Sequence, residues 1–231
     1  MSSIIKYLSP NFNERPKEVK ISLIILHYTE MNPVQAALER LTDPASKVSA
    51  HYLIEQNGQM YQLVEDQYRA WHAGISSWQG YEDVNDISIG IELDHPGHIS
   101  SAPYPKVLMT SLLKLLKFLC VRHKINKKQI WGHSDIAPDR KIDPGEFFDW
   151  SFLAQHGFGM WFEDQKVNEL IVDEKQGIVW LQQIGYKVDE SQSLKSVIKA
   201  FQRHFYSENV TGILDLKTYC RLGLLIQQNF H

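Results

Sequence analysis

The sequence predicts an α/β domain, in which a mixed central sheet is flanked by helices, followed by a small unit of three helices. Short apolar runs typical of strands alternate with amphipathic helical segments in the first part of the chain, and only helical patterns occur near its end. Strands that alternate with helices indicate an α/β architecture. A chain of 231 residues has room for one full-sized domain and an appendage. The expected boundaries are 1–160 for the α/β domain, 161–174 for a linker and 175–231 for the helical unit.

The first strand, helix and hairpin each have a local signal. SLIILHY at 22–28 is an apolar run without clean alternation, as expected for a strand covered on both faces, and His27 lies at its carboxyl end. Pro33 then opens the segment VQAALERL, whose apolar residues recur at helical spacing. Asn57-Gly58 separates two β-like runs and readily supplies the positive φ values of a two-residue turn, which predicts a β-hairpin.

Strict alternation predicts another strand over residues 87–93. One face of this strand carries the apolar side chains of Ile87, Ile89, Ile91 and Leu93. The other face carries Ser88, Gly90 and Glu92, so the carboxylate has two very small neighbours. We therefore expect one face to pack in the core and the other to leave space around Glu92.

The remaining elements follow from helical and strand-like runs. A leucine stripe at helical spacing predicts a helix over about 105–124 that lies on the sheet. The short run QIWGH brings His133 to the end of a further strand. Three segments near the chain end predict helices: GIVWLQQIGY, SLKSVIKAFQRHFY and DLKTYCRLGLLIQQ. Three short helices bury only a modest core, so this unit is expected to lean on its neighbour.

Composition narrows the classes of partner and compartment. Lys and Arg total 24 against 27 Asp and Glu, and no basic run occurs, so a nucleic-acid partner is not expected. No apolar run reaches the roughly 18 residues of a membrane-spanning helix. The start MSSIIKYLSPNFNERP lacks the basic region and apolar stretch of a secretory signal, which favours a cytoplasmic location. The periplasm or cell envelope is the alternative, because some export routes use no such signal.

Three residues have the chemistry and placement of zinc ligands. His27 and His133 each end a predicted strand, and Asp143 lies in a loop ten positions after His133. Two imidazoles and one carboxylate leave a fourth position open on Zn²⁺, which is typical of catalytic sites. Spacing alone does not single them out, because the chain has 10 histidines and most histidines are surface or hydrogen-bonding residues.

Several segments together resemble one enzyme family. LHYTE, SAHYLIEQNGQMYQLVEDQYRAWHAG, NDISIGIEL and GHSDIAPDRKIDPG occur in the order found in N-acetylmuramoyl-L-alanine amidases of the AmpD and AmiD type. These enzymes are related to phage T7 lysozyme and the peptidoglycan recognition proteins, and the resemblance extends over most of residues 1–155. It implies that His27, His133 and Asp143 hold one zinc ion per chain.

The resemblance also implies catalytic residues and a reaction. Glu92 matches the family's glutamate and Lys141 its lysine, so Glu92 is expected to act as general acid and base and Lys141 to support the oxyanion. The alternatives are a carboxylate that orients a histidine ligand and a solvated loop lysine. The implied reaction is hydrolysis of the amide between N-acetylmuramic or anhydro-muramic acid and L-alanine, in peptidoglycan or muropeptides, during wall turnover or recycling.

Two other functions fit part of the sequence. Peptidoglycan recognition proteins use the same fold to bind muropeptides without cutting them, and intact metal ligands separate the enzyme from that class. A zinc amidohydrolase that acts on an amide outside the cell wall is compatible with the ligands alone. Intact wall and anhydro-muropeptide are both candidate substrates, and the sequence gives no oligomeric state.

The sequence also suggests substrate-binding residues and a role for the C-terminal helical unit. His72 and Trp71 in AWHAG, and Asn85, are candidates for contact with substrate. The alternatives are a histidine that pins the loop, a packing tryptophan and a loop-capping asparagine. LQQIGY, AFQRHF and TGILDLKT resemble the three-helix peptidoglycan-binding module over about 175–225, and a stabilising helical cap is the alternative.

Overall fold

The computed structural model describes residues 4–163 and 171–230, which form a mixed six-stranded sheet, a separate two-stranded ribbon and flanking helices. The strands are β1 (Ile4–Lys6), β2 (Phe12–Glu14), β3 (Leu23–Tyr28), β4 (Tyr52–Ile54), β5 (Met60–Gln62), β6 (Tyr68–Ala70), β7 (Ser88–Leu93) and β8 (Ile130–Gly132). The helices are α1 (Val34–Thr42), α2 (Lys106–His123), α3 (His133–Ile136), α4 (Trp150–Gln155), α5 (Glu174–Ile184), α6 (Leu194–Phe205) and α7 (Leu216–Asn229). The predicted fold class is confirmed.

The large sheet has the strand order β1-β5-β4-β7-β3-β8. β3 lies between β7 and β8 and is parallel to both, β4 is parallel to β7, and β1 is parallel to β5. β4 and β5 form the predicted antiparallel hairpin, but its turn is longer than the predicted two residues: Glu55 donates its backbone N–H to the carbonyl of Gln59, so residues 56–58 form the loop. Gly58 has a φ of +85°, whereas Asn57 does not have the positive φ that a two-residue turn requires. Because β3, β7 and β8 run in one direction, their carboxyl ends meet at the same edge of the sheet.

Three predicted strands have boundaries that shift by one residue, and the first of them, β3, begins at Leu23 instead of Ser22. β7 begins at Ser88, because Ile87 ends a short 3-10 turn over Val84–Ile87. β8 ends at Gly132, and His133 opens the short helix α3 instead of closing the strand. The carboxylate of Asp135 accepts a hydrogen bond from the backbone N–H of Gly132 at 2.8 Å, which holds the first turn of that helix.

The first face of the sheet packs against α2, as the leucine stripe predicts. Ile89, Ile91 and Leu93 of β7 and alternate residues of β3 belong to one buried cluster with the apolar face of α2. The helix residues of this cluster are Leu108, Met109, Leu112, Leu115, Leu116, Leu119 and Cys120. Alternation therefore identifies the packed face correctly for these three residues. Ile87, expected on the same face, ends the 3-10 turn before β7 and packs in the other cluster, with the C-terminal helices.

The second face of the sheet shares its core with the C-terminal helices. Ile25 and Trp131 of the sheet pack in one cluster with Leu181 of α5, Phe201 of α6 and Leu222 of α7. The expectation that these helices lean on the α/β part is confirmed. Residues 164–170 of the predicted linker lie outside the described residues. Peptidoglycan binding by the helical unit stays a prediction, and the shared core supports the alternative that it stabilises the α/β domain.

A buried polar contact joins the same two parts. Asp135 accepts a hydrogen bond from the hydroxyl of Tyr186 at 2.6 Å, and Nδ1 of His204 lies 2.9 Å from its other oxygen. The ring of His204 stacks on Trp150, with 3.7 Å between the ring centroids. Among the helices of residues 4–163 and 171–230, none is long and apolar enough to cross a membrane.

Because the core is shared, damage to the tail should weaken the sheet. Phe201→Ala removes a fully buried ring and should lower the free energy of unfolding by about 3–5 kcal/mol. Hydrogen exchange followed by mass spectrometry should then accelerate both in α5–α7 and in β3. Ile213→Ala, which changes a tail residue that is 63% exposed, is the matched control and should shift stability by less than about 0.5 kcal/mol. Faster exchange in the tail with an unchanged β3 would contradict the shared core.

Candidate metal centre

The candidate metal centre consists of His27, His133 and Asp143, the three residues that the sequence suggested as ligands. All three side chains are buried. The Nδ1 atoms of the two histidines lie 3.0 Å apart, and each lies 3.0 Å from Oδ2 of Asp143. The three atoms form a nearly equilateral triangle and could hold one metal ion. Across the described residues, no second group of three histidine, cysteine or acidic side chains converges in this way.

Strand direction brings the two histidines together. His27 lies near the carboxyl end of β3, and β8 runs parallel beside β3. His133 directly follows β8, so it emerges at the same edge of the sheet as His27. The two rings meet edge to face with 4.5 Å between their centroids, although 106 residues separate them along the chain.

The loop that carries Asp143 is held against the end of β8. The backbone N–H of Ser134 donates a hydrogen bond to the carbonyl of Asp143 at 2.9 Å. Gly132 permits this approach, because a Cβ atom at that position would lie only 2.8 Å from Cδ of Pro144. A side chain at residue 132 would therefore push the third candidate ligand away from the histidines.

The chemistry of the three donor atoms fits a zinc ion. Nε2 of His133 lies 3.0 Å from the carbonyl oxygen of Ala73, which can only accept, so the ring proton lies on Nε2 and the lone pair on Nδ1. Lone pairs this close to a carboxylate oxygen repel one another unless a cation or proton lies between them. Two imidazole nitrogens and a carboxylate oxygen are ligands that Zn²⁺ prefers, and three protein ligands leave the fourth position free.

The electrostatics of the site favour the ligand forms of these groups. Burial lowers the pKa of His27 to about 4, and the neighbouring His133 contributes to the shift. Burial alone would raise the pKa of Asp143, but His133 and His27 together hold it far below its usual range. At neutral pH the site therefore offers a neutral His27 and an ionised Asp143, as metal ligation requires.

Glu92 stands beside the candidate ligands on the neighbouring strand. It pairs with His27 in the register of β3 and β7, so the two side chains point to the same side of the sheet. Its Oε2 atom is buried and has no hydrogen-bond partner among the described residues. Burial raises the pKa of Glu92 well above its usual value, the Asp143 carboxylate raises it further, and Lys141 opposes the shift. This carboxyl group therefore takes up a proton more readily than an ordinary glutamate, which suits a group that transfers protons.

A cleft of about 610 Å³ opens in front of the three candidate ligands. Glu92 and Lys141 line it, and so do Trp71 and His72. The Lys141 side chain makes no ion pair within 4 Å in the part of the chain that the structure describes, so its charge is available to a molecule in the cleft.

The structure brings two of the three predicted substrate-binding residues to this cleft. Trp71 lines it, with its indole N–H donating to Oδ1 of Asn13 at 2.8 Å. His72 is 8% exposed, and its Nδ1 lies 3.1 Å from Nε2 of His27. Asn85 lines a smaller pocket that also includes Trp71 and His72, and its side-chain oxygen accepts the backbone N–H groups of His72 and Ala73 at 3.0 and 2.8 Å. Contact of these residues with substrate stays a prediction.

Two further residues at the cleft were not singled out by the sequence. Arg140 donates a hydrogen bond to the Ala73 carbonyl at 3.0 Å, the same oxygen that accepts from His133, and it also bonds the Ile75 carbonyl. Tyr28 lines the cleft with its hydroxyl 3.2 Å from Nδ1 of His98. The only sequence signal for either was its position next to an expected site residue, in DRKIDPG and LHYTE.

The fold and the centre define a class of protein: a mixed-sheet α/β protein with a candidate metal centre of the catalytic type and a free carboxyl group beside it. Residues 17–146 match the sequence model of the Amidase_2 family, described as N-acetylmuramoyl-L-alanine amidase. The chain belongs to this family.

Individual relatives cover either the whole chain or its first part. N-acetylmuramoyl-L-alanine amidase AmiD of Escherichia coli strain K12 is 36% identical over 90% of this chain and 83% of the relative. The 1,6-anhydro-N-acetylmuramyl-L-alanine amidase AmpD of Haemophilus influenzae is 40% identical over 62% of this chain and 85% of its own length. The AmpD match therefore leaves more than a third of the chain uncovered.

Solved structures show the same extent of similarity. AmiD from E. coli, in complex with the substrate anhydro-N-acetylmuramic acid-L-Ala-D-γ-Glu-L-Lys, superposes with a TM-score of 0.82 at 33% identity, covering 94% of this chain and 93% of that one. AmpDh3 from Pseudomonas aeruginosa superposes with a TM-score of 0.83 at 28% identity, covering 94% and 96%. The similarity thus includes the C-terminal helices.

Loss of a candidate ligand should abolish metal retention. We expect the unaltered protein to keep about one zinc ion per chain after dialysis, and His133→Ala to keep close to none, because two ligands remain. Zinc per chain is measured by mass spectrometry of the metal. His98→Ala removes an exposed histidine that lines the same cleft and should leave the zinc content unchanged. Equal zinc in both variants would exclude His133 as a ligand.

His51 is a buried histidine next to the centre that is not a candidate ligand. Its Nδ1 accepts the backbone N–H of Gly90 at 3.0 Å, and its Nε2 lies 3.1 Å from the carbonyl oxygen of Tyr68. Burial lowers the pKa of His51 to about 3, and the Arg15 guanidinium contributes to the shift. In the folded protein this ring stays neutral at pH values at which it is charged in the unfolded chain.

This difference predicts a pH dependence of stability. Because the pKa of His51 is lower in the folded protein than the ordinary 6.5 of the unfolded chain, the unfolded chain binds the proton preferentially as the pH falls below 6.5. His51 should therefore lower the free energy of unfolding by about 2 kcal/mol between pH 7 and pH 5. Urea unfolding of the metal-free protein and of its His51→Asn variant at both pH values measures this change in the free energy of unfolding. Other titrating groups are shared by the two proteins and cancel. An equal pH slope in both would contradict the prediction.

Proposed function

We propose that the protein is a zinc-dependent N-acetylmuramoyl-L-alanine amidase that hydrolyses the amide between the muramic acid lactyl group and L-alanine. The observation that carries the proposal is the convergence of His27, His133 and Asp143 in a cleft that also contains the free carboxyl group of Glu92. Family membership supports the bond that is cleaved. The AmiD structure with its anhydro-muramyl peptide supports a muropeptide as the substrate.

A zinc ion held by the three ligands would supply a Lewis acid for the amide carbonyl and lower the pKa of a bound water to about 7. Glu92 acts as the general base that removes a proton from the attacking water. The same carboxyl group then donates a proton to the amine nitrogen of L-alanine as the C–N bond breaks. The raised pKa of Glu92 suits both steps, because the group takes up a proton more readily than an ordinary carboxylate.

Lys141 supports the negative charge that develops on the carbonyl oxygen. Its ammonium group lines the cleft and has no competing ion pair within the described residues, so it can face the substrate. Preorganised charge of this kind stabilises a transition state without reorganisation during the reaction. The arrangement supports hydrolysis over binding alone, since a protein that only recognises muropeptides needs neither the metal ligands nor an unpaired carboxyl group.

The proposed substrates include both wall polymer and free anhydro-muropeptides. Trp71 and Lys141 line the cleft, and its volume of about 610 Å³ lies within the size range of small-ligand sites. Rates on insoluble wall and on anhydro-muropeptides, measured with the same preparation, decide between them. A rate on one substrate below a thousandth of the other would restrict the enzyme to a single class.

Removal of the proposed general base should suppress turnover but not metal binding. Glu92→Gln keeps the size of the side chain and should lower kcat for muropeptide hydrolysis by about 10²–10⁴-fold. Zinc content and thermal midpoint are measured on the same sample. Glu30→Gln, a change of an exposed carboxylate that lines the same cleft, is the control and should keep kcat within about twofold. Near-normal turnover of Glu92→Gln with full zinc would remove Glu92 from the mechanism.

A further inference from the structure

A buried chain of hydrogen bonds runs from a backbone carbonyl to the candidate ligand His27. We propose that Ser88 and His72 are positioning residues: they hold the ring proton of His27 on Nε2 and keep its Nδ1 lone pair directed at the metal position. This inference rests on the proposed metal centre. It concerns the choice between two ring tautomers, which no feature of β3 itself determines.

Ser88 determines which atoms donate and which accept along this series of hydrogen bonds. The Ser88 Oγ atom lies 2.6 Å from the carbonyl oxygen of Val84, which can only accept, so the single hydroxyl proton lies between them. The same Oγ lies 3.2 Å from Nε2 of His72. Because its proton is already engaged, Oγ accepts at this contact. His72 must therefore carry its proton on Nε2.

The tautomer of His72 determines which ring nitrogen of His27 carries the proton. His72 is buried between the rings of His51 and His27, and within residues 4–163 and 171–230 no carboxylate lies within hydrogen-bond distance of it, so its ring is neutral. A neutral ring with its proton on Nε2 has a lone pair on Nδ1. That Nδ1 lies 3.1 Å from Nε2 of His27, so His27 donates there. The Nδ1 atom of His27, which faces His133 and Asp143, is left with its lone pair.

The surrounding residues are arranged to make room for His72. A Cβ atom on Gly90 would lie 2.4 Å from Cγ of the His72 ring, so a glycine is required at that point of β7. Asn85 fixes the backbone of the same segment by accepting the N–H groups of His72 and Ala73. The small side chains beside Glu92 therefore make space for His72 and supply its hydrogen-bond partner.

Comparison of the two histidine ligands shows why Ser88 is needed. His133 donates its Nε2 proton to the Ala73 carbonyl, an atom that can only accept. His27 donates to an imidazole, which can accept or donate according to its own tautomer. The contact with Ser88 removes this ambiguity, and it opposes the Asp143 carboxylate, which lies 3.0 Å from Nδ1 of His27 and would otherwise draw the proton to that nitrogen. Neighbouring residues 72 and 73 thus orient both rings, one through a side chain and the other through the backbone.

The test uses the metal-free full chain first. Long-range ¹H–¹⁵N spectra of the imidazole rings should show His27 and His72 with their protons on Nε2. In Ser88→Ala, which leaves no acceptor for His72, the His72 and His27 signals should indicate a mixture of tautomers. A wild-type His27 with its proton on Nδ1 would overturn the proposal. This measurement needs no zinc, so it separates failure of the tautomer assignment from failure of the proposed function.

Zinc affinity provides the second readout, by competition with a chromophoric chelator. Ser88→Ala should bind zinc about 10–100-fold more weakly than wild type, as is usual when a group that orients a metal ligand is removed. His72→Leu should lose at least as much, whereas His72→Asn, whose Oδ1 can still accept from His27, should recover part of the affinity. Ser111→Ala is the matched control, since Ser111 is buried and bonds a backbone carbonyl at 2.8 Å far from the centre. Wild-type affinity in Ser88→Ala would overturn the proposal.

Discussion

The structure depends on holding three electron-rich atoms 3.0 Å apart in a buried place. This arrangement is unfavourable in isolation, because lone pairs and a carboxylate repel each other and burial removes the water that would separate them. The protein maintains this arrangement through contacts that hold each ligand, or the loop that carries it, in place. The Ala73 carbonyl holds His133, the Ser134 N–H holds the Asp143 loop, and His72 contacts His27. A bound cation would relieve the repulsion that this rigidity preserves.

The two acidic groups of the cleft differ because their surroundings differ. Asp143 lies 3.0 Å from two imidazole rings, and a proton on either ring, like a bound cation, holds the pKa of Asp143 low and keeps it charged. Glu92 is one strand away, and its buried Oε2 has no hydrogen-bond partner among the described residues, so its pKa is raised and its proton can be exchanged. When environments push the pKa values of neighbouring carboxyl groups apart, their roles are divided. Here one group is suited to bind a metal and the other to transfer protons.

The C-terminal helices belong to the same packing arrangement. They bury apolar side chains against the face of the sheet opposite α2, and they reach the short helix that begins with His133. The carboxylate of Asp135, two residues further on, accepts hydrogen bonds from the backbone of Gly132 and from Tyr186 and also contacts His204. A part of the chain more than 50 residues away thus supports the turn that presents a ligand.

Elements with a clear local period or turn signal were predictable from the amino-acid sequence: β3, β7, α2, the hairpin around Asn57-Gly58 and the C-terminal helices. The sequence also indicated His27, His133, Asp143 and Glu92, through residue chemistry and family resemblance. Strands of three residues such as β1, β2 and β6 are too short to show a period, so only the tertiary structure revealed them. The space expected above Ser88 and Gly90 is occupied by His72, which comes from elsewhere in the chain. Hydrogen-bond partners and packing neighbours depend on proximity in the folded protein, and a local sequence pattern does not encode which distant residues become close.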